Sequence, residues 1–185
     1  MKGALRILGG TLRGRALEVA AGVRPSGARL REALFSIWLP RLAGARILDL
    51  YAGSGAVGLE ALSRGAASAL FVEPERAARA ALERNLRLAG PGTTRVLPRR
   101  DRDALDLLAR EGARFDLLFV DPPYADPIDA ALLEALARIA APAASLVVEH
   151  RRGREPAPAE DLWSLEGDRV YGDSALRLYV ASGAG

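Results

Sequence analysis

Cysteine is absent from this 185-residue chain, and histidine and lysine occur once each, as His150 and Lys2. With no thiol there is no disulfide, no thiolate nucleophile and no cysteine zinc site. With one imidazole there is no His-rich metal centre, and no metal is expected. Aromatic residues make up only 5% of the chain. No apolar run reaches the roughly 18 residues that a membrane-spanning helix needs. The opening MKGALRILGG lacks both the apolar core and the small-residue cleavage site of a secretory signal. These absences lead to the expectation of a cytoplasmic protein with no membrane association. The length fits one domain with a small appendage, burying about 70% of the surface that the unfolded chain exposes.

Charge is plentiful but uneven. All but one of the 26 basic residues are arginine, and the formal net charge is +3. Residues 1–46 carry nine basic side chains against Glu18 and Glu32, a local balance of +7, which leaves the remainder at −4. A basic arm on a mildly acidic body suits a polyanionic partner.

Residues 4–19, ALRILGGTLRGRALEV, read as two short strands about the turn-prone Gly9-Gly10. Pro25-Ser26 then introduces a helix in which Leu30, Ala33, Leu34, Ile37 and Trp38 form one apolar stripe. Arg29, Arg31, Glu32 and Ser36 fall off that stripe, and Pro40 ends the helix. From Arg46 onward the apolar strands ARILDLY, SALFVE, TRVLP, FDLLFVD and ASLVVEH alternate with the helical stretches AVGLEALSRG, ERAARAALERNLRLAG, RDALDLLAREG and DPIDAALLEALARIA. That alternation predicts an α/β fold, a doubly wound, Rossmann-like parallel sheet. The final WSLEGDRVYG and SALRLYVA read as an antiparallel hairpin closing one edge. Residues 1–40 are thus a basic extension of hairpin plus helix, and residues 41–185 the main α/β domain.

Gly53-Ser54-Gly55-Ala56-Val57-Gly58 is a G-x-G-x-x-G sequence that follows the strand ILDLY and opens a helix. Its glycines allow a tight turn and close approach of backbone to a ligand. Glu73, at the end of the next strand, has the place of an acid that holds a ribose. Alone, the loop would equally suit NAD. Asp49, four residues ahead of Gly53, discriminates: a carboxylate is unfavourable beside a pyrophosphate but favourable beside the ammonium and sulfonium of S-adenosylmethionine. The alternative is that Asp49 only caps the turn. Asp103 is a further candidate, for the adenine amine, or else a helix N-cap.

The chemistry is expected at Asp121-Pro122-Pro123-Tyr124, where the strand FDLLFVD ends. Two prolines stiffen the chain as it leaves the strand, and neither donates a backbone hydrogen bond. The Asp121 carboxylate and the Pro122 carbonyl can therefore accept both hydrogens of an exocyclic amine. That would free its lone pair for attack on a methyl group. Tyr124 can stack on the base, which must be unpaired or flipped out to reach the pocket. The motif serves guanine and adenine amines alike.

DLYAGSGAVGLEALSRGA, FVDPPY, and RILGGTLRGRAL followed by VRPSGARLREALFSIW together resemble the RsmD-type bacterial 16S rRNA guanine-N2 methyltransferases, along nearly the whole chain. The resemblance implies a class I methyltransferase domain over 41–185, with seven strands in the order 3-2-1-4-5-7-6 and the seventh antiparallel. It also implies S-adenosylmethionine as donor and the N2 amine of guanine 966, in customary rRNA numbering, as acceptor. By motif match, Asp49, Gly53, Ser54, Gly55 and Glu73 become cofactor residues, and Asp121, Pro122 and Tyr124 the amine clamp and stacking ring, with Pro123 on the substrate side. Arg6, Arg13, Arg15 and Arg24 become RNA contacts. The implied partner is 16S rRNA, within a small ribosomal subunit or its assembly intermediate, met by a monomeric enzyme. The chain departs from the family at 26–28, where Ser26-Gly27-Ala28 stands in place of Thr-Thr-Asp. An adenine-N6 DNA methyltransferase is the alternative, although no segment is large enough for a target-recognition domain.

Overall fold

The computed structural model describes residues 4–22, 27–123, 128–156 and 159–182. Seven strands form one sheet: β1 (Arg46–Leu50), β2 (Ser68–Val72), β3 (Thr94–Leu97), β4 (Phe115–Val120), β5 (Ala140–Arg151), β6 (Trp163–Tyr171) and β7 (Ser174–Ala181). Their order is β3-β2-β1-β4-β5-β7-β6. The first five run parallel, and β7 is antiparallel to both β5 and β6. This is the order that the resemblance implies.

Burial explains why the central strands read as unbroken apolar runs. In β1 and β4, alternate side chains serve two separate cores. Leu48, Leu50, Leu118 and Val120 join the core formed with α4 (Asp101–Arg110) and α5 (Ala130–Ala137). Ile47, Leu117 and Phe119 join the opposite core, formed with α1 (Ala28–Trp38), α2 (Ala56–Ser63) and α3 (Arg76–Asn85). Ile7 and Leu17 of the N-terminal segment are buried in that second core as well.

Two local expectations are revised. The N-terminal hairpin is reduced to a single antiparallel bridge, Arg6 to Ala16, and the chain reverses over 10–14 rather than at Gly9-Gly10. The glycine pair instead lies against the end of α2. The Ser63 hydroxyl donates to the Gly9 carbonyl at 2.6 Å, and the Thr11 N–H donates to the Ser63 carbonyl at 2.8 Å. A Cβ on Gly10, whose φ is +76°, would stand 1.8 Å from the Ser63 carbonyl oxygen, so the glycine permits contact between two backbones.

Arg31 also departs from its sequence reading. Although off the apolar stripe, it is 1% exposed. Its guanidinium donates to Glu60 Oε2 at 2.9 Å and to the Arg6 carbonyl at 3.0 Å. Glu60, wholly buried on α2, also accepts from Arg64 and from the Leu8 N–H. Burial lowers the Arg31 pKa from its ordinary value, and the Glu60 charge opposes that shift. A buried ion pair therefore ties the N-terminal segment and α1 to α2, the helix that opens at the glycine loop.

Candidate active site

A cleft of about 790 Å³ opens at the C-terminal ends of the parallel strands. That is where open α/β sheets bind ligands, and the volume lies in the range of small-molecule sites. Along one end run Gly53, Ser54, Glu73, Pro74, Glu75 and Asp101; toward the other lie Asp121, Pro122, Pro123, Glu149, Tyr171 and Ser174. Asp49 lines it between them.

The glycine loop is built as its sequence demands. Gly53 and Gly55 have φ of 53° and 76°, in the left-handed region. Gly55 is the N-cap of α2, without a side-chain cap. A Cβ on Gly58 would meet the Phe71 ring at 2.3 Å, so the third glycine lets α2 pack closely on β2. Glu73 fastens the loop: its Oε2 accepts the Gly53 N–H at 2.8 Å, while Oε1 accepts the Glu75 N–H at 2.8 Å. Ser54 is buried, and its carbonyl accepts from Asn85 Nδ2 at 2.9 Å. The same Asn85 side chain holds the Glu18 backbone through both its N–H and its carbonyl, linking the loop to the N-terminal segment.

Asp49 is 2% exposed, and its Oδ2 accepts the Gly58 N–H at 2.9 Å. It thus steadies the first turn of α2 while also facing the cleft. Burial pushes its pKa up to about 7, the Gly58 N–H works against the shift, and the nearby Glu73 charge adds to it. A cation in the cleft would relieve that strain.

Asp103 is exposed and is not among the residues lining the cleft; Asp101, in the same first turn of α4, is. The Asp101 carboxylate accepts the Tyr51 hydroxyl at 2.6 Å. Tyr51 itself has φ 65°, unusual for a non-glycine residue, as the chain turns from β1 into the glycine loop. Asp121 is half-buried, Pro122 buried and Pro123 exposed, all three on the cleft. Tyr124 and Arg24 lie outside the described residues. Arg6, Arg13 and Arg15 are exposed on the N-terminal segment and are not among the residues lining the cleft, and Arg6 donates to the Gly14 carbonyl at 2.7 Å. The arginines lining the cleft among the described residues are Arg29 and Arg100. Sequence motifs also missed Glu149, Tyr171 and Ser174. Glu149 did carry a signal, an acid near the end of an apolar strand, as Asp49 and Asp121 are.

Sheet order, glycine loop and strand-end acids define a class I, S-adenosylmethionine-dependent methyltransferase. The family model described as conserved hypothetical protein 95 matches residues 5–180. The chain is 40% identical over 189 aligned residues to ribosomal RNA small subunit methyltransferase D of Escherichia coli K12, covering 99% of this chain and 93% of that one. It belongs to the RsmD family. The Haemophilus influenzae protein of the same name is 32% identical, with 96% of this chain and 94% of that one covered. Among solved structures, the Escherichia coli protein yhhF superposes with a TM-score of 0.85 at 38% identity, covering 98% of this chain and 99% of that one. A hypothetical protein of Thermus thermophilus superposes with a TM-score of 0.78 at 41% identity, covering 94% and 98%.

The residues present fit the cofactor, because a buried carboxylate held near neutrality is suited to a cationic ligand. For the free protein, the folded state holds the Asp49 proton more tightly than the unfolded state. This group's contribution to stability is therefore full below its ordinary pKa of 3.8 and is lost as pH rises through about 7. A cationic cofactor held by Asp49 would favour the ionised form, so the dependence there would be reversed. Between pH 5.5 and 7, affinity for S-adenosylmethionine is expected to fall up to about tenfold for each unit of acidification. In Asp49→Asn it should be weaker and nearly flat with pH. Calorimetric titration checks this, and an unchanged slope in the variant would refute the assignment.

Proposed function

We propose that the protein methylates the exocyclic N2 amine of a guanine in small-subunit ribosomal RNA, guanine 966 in customary numbering, acting in the cytoplasm as a monomer. The observation that carries the reading is that one cleft is lined both by Asp49, the glycine loop and Glu73 and by Asp121-Pro122-Pro123. The relatives' name supports ribosomal RNA as the acceptor.

Asp49, Gly53, Ser54, Gly55 and Glu73 hold the cofactor, with Asp101 rather than Asp103 on its outer side. When bound, S-adenosylmethionine supplies an electrophilic methyl group on a sulfonium. The protein does the rest by positioning and electrostatics. Asp121 and the Pro122 carbonyl accept the two amine hydrogens, which turns the nitrogen lone pair out of conjugation with the ring. As the N–C bond forms, the methyl group's bond to sulfur would break and leave the neutral thioether S-adenosylhomocysteine, while one N–H proton passes to the Asp121 carboxylate that accepts it. Tyr124 stacks on the flipped base, and Pro123 borders it. Residues 1–40 serve as the RNA-contacting extension, with Arg6, Arg13, Arg15 and Arg24 engaging phosphates, and residues 41–185 as the catalytic domain.

The test offers methyl-labelled cofactor to unmodified small subunits, naked ribosomal RNA, duplex DNA and protein in parallel. Label is expected in the ribosomal RNA, free or assembled. Label in DNA or protein alone would overturn the reading.

A further inference from the structure

Four adjacent strands deliver a carboxylate to the same cleft: Glu73 just after β2, Asp49 on β1, Asp121 just after β4 and Glu149 on β5. The registers Phe71 to Asp49, Asp49 to Phe119 and Phe119 to Val147 put all four on one face of the sheet, given the two-residue alternation of strands. Glu73 and Asp49 belong to the cofactor end, and Asp121 clamps the amine. Glu149 has no part in that scheme, yet it is only 6% exposed and lines the cleft. Val120 pairs with Val148, so Asp121 and Glu149 are the next neighbours across two parallel strands, with backbones roughly 4.8 Å apart. Tyr171, Gly172 and Ser174, from the β6–β7 turn, line the cleft with them.

We propose that Glu149 is a specificity-determining residue: it accepts the N1–H of the target guanine while Asp121 holds the neighbouring N2 amine. The inference rests on the guanine-N2 reading above and deepens it. The Watson–Crick edge of guanine offers N1–H and the amine side by side, two adjacent donors that two side-by-side carboxylates complement. Adenine offers its amine beside a bare N1 lone pair, so the same carboxylate would face an acceptor. In a buried site a polar group left without its hydrogen bond is heavily penalised. Sites built to bind a substrate N–H therefore reject analogues that lack it by large factors. Asp121-Pro122-Pro123-Tyr124 can serve either amine, and Glu149 makes the choice.

The test uses small subunits reconstituted from RNA carrying either guanine or 2-aminopurine at the target position. 2-Aminopurine keeps the N2 amine but presents N1 as an acceptor. The unaltered enzyme should methylate guanine about 100-fold more efficiently in kcat/KM. Glu149→Gln, whose amide can donate to N1, should bring the two substrates within about tenfold of each other, with cofactor affinity and melting temperature unchanged. A preference in Glu149→Gln equal to that of the unaltered enzyme would overturn the proposal. So would near-equal use of both bases by the unaltered enzyme, a result that needs no variant to fold. Failure of the underlying reading is distinguishable, because the guanine subunits themselves would then take no label.

Discussion

Asp121→Ala is expected to lower kcat by about a thousandfold or more, while affinity for S-adenosylmethionine stays within about threefold of the unaltered enzyme. An exocyclic amine conjugated with its ring is a poor nucleophile. In the proposed mechanism the carboxylate at the end of β4 polarises it and gives its proton somewhere to go. Cofactor binding is proposed to rest on β1, the glycine loop and the end of β2, where Glu73 holds the loop through the Gly53 N–H. Single-turnover transfer and calorimetry on the same preparation separate the two. A folded variant that loses cofactor binding would contradict this division of the cleft.

Glu60→Ala should destabilise the protein by about 3–5 kcal/mol, because it strands a buried guanidinium. The melting temperature should fall by roughly 10 °C. Glu60 is 0% exposed and Arg31 1%. Without the carboxylate, Arg31 keeps the Arg6 carbonyl but loses its countercharge, and the Leu8 N–H loses its acceptor. The exposed Arg95–Glu111 pair offers a contrast: it is screened by water, and truncating it should leave the melting temperature nearly unchanged. Thermal unfolding of both variants checks the difference, and equal melting temperatures would show that the Arg31–Glu60 pair does not anchor the N-terminal segment.

The strands and the glycine-loop side of the cleft were legible because their signals are local. ILDLY followed by G-x-G-x-x-G shows a strand, a turn and a helix start within a dozen residues, and Glu73 ends the next apolar run. Arg31 was not legible. Helical periodicity sets it off the apolar stripe, and its partner Glu60 lies 29 positions away on another helix. Only the packing of α1 against α2 brings them together. Asp101 and Asp103 show the angular limit of sequence reading. Two residues apart on a helix is about 200° of rotation, so one faces the cleft and the other solvent. Gly9-Gly10 reads as a turn because glycine doublets usually are turns, whereas here it serves close approach to the Ser63 backbone. Glu149 belongs to no motif, and the role proposed for it depends on a neighbour across the sheet, which strand order reveals.

In the proposed reaction the cleft directs a methyl group to the exocyclic amine of a guanine. Its most direct test is to label unmodified small subunits with methyl-labelled cofactor, digest the RNA to nucleosides and identify the labelled product by mass spectrometry. N2-methylguanosine is expected as the only labelled nucleoside. Label in N6-methyladenosine, or on a ring nitrogen of guanine, would contradict it.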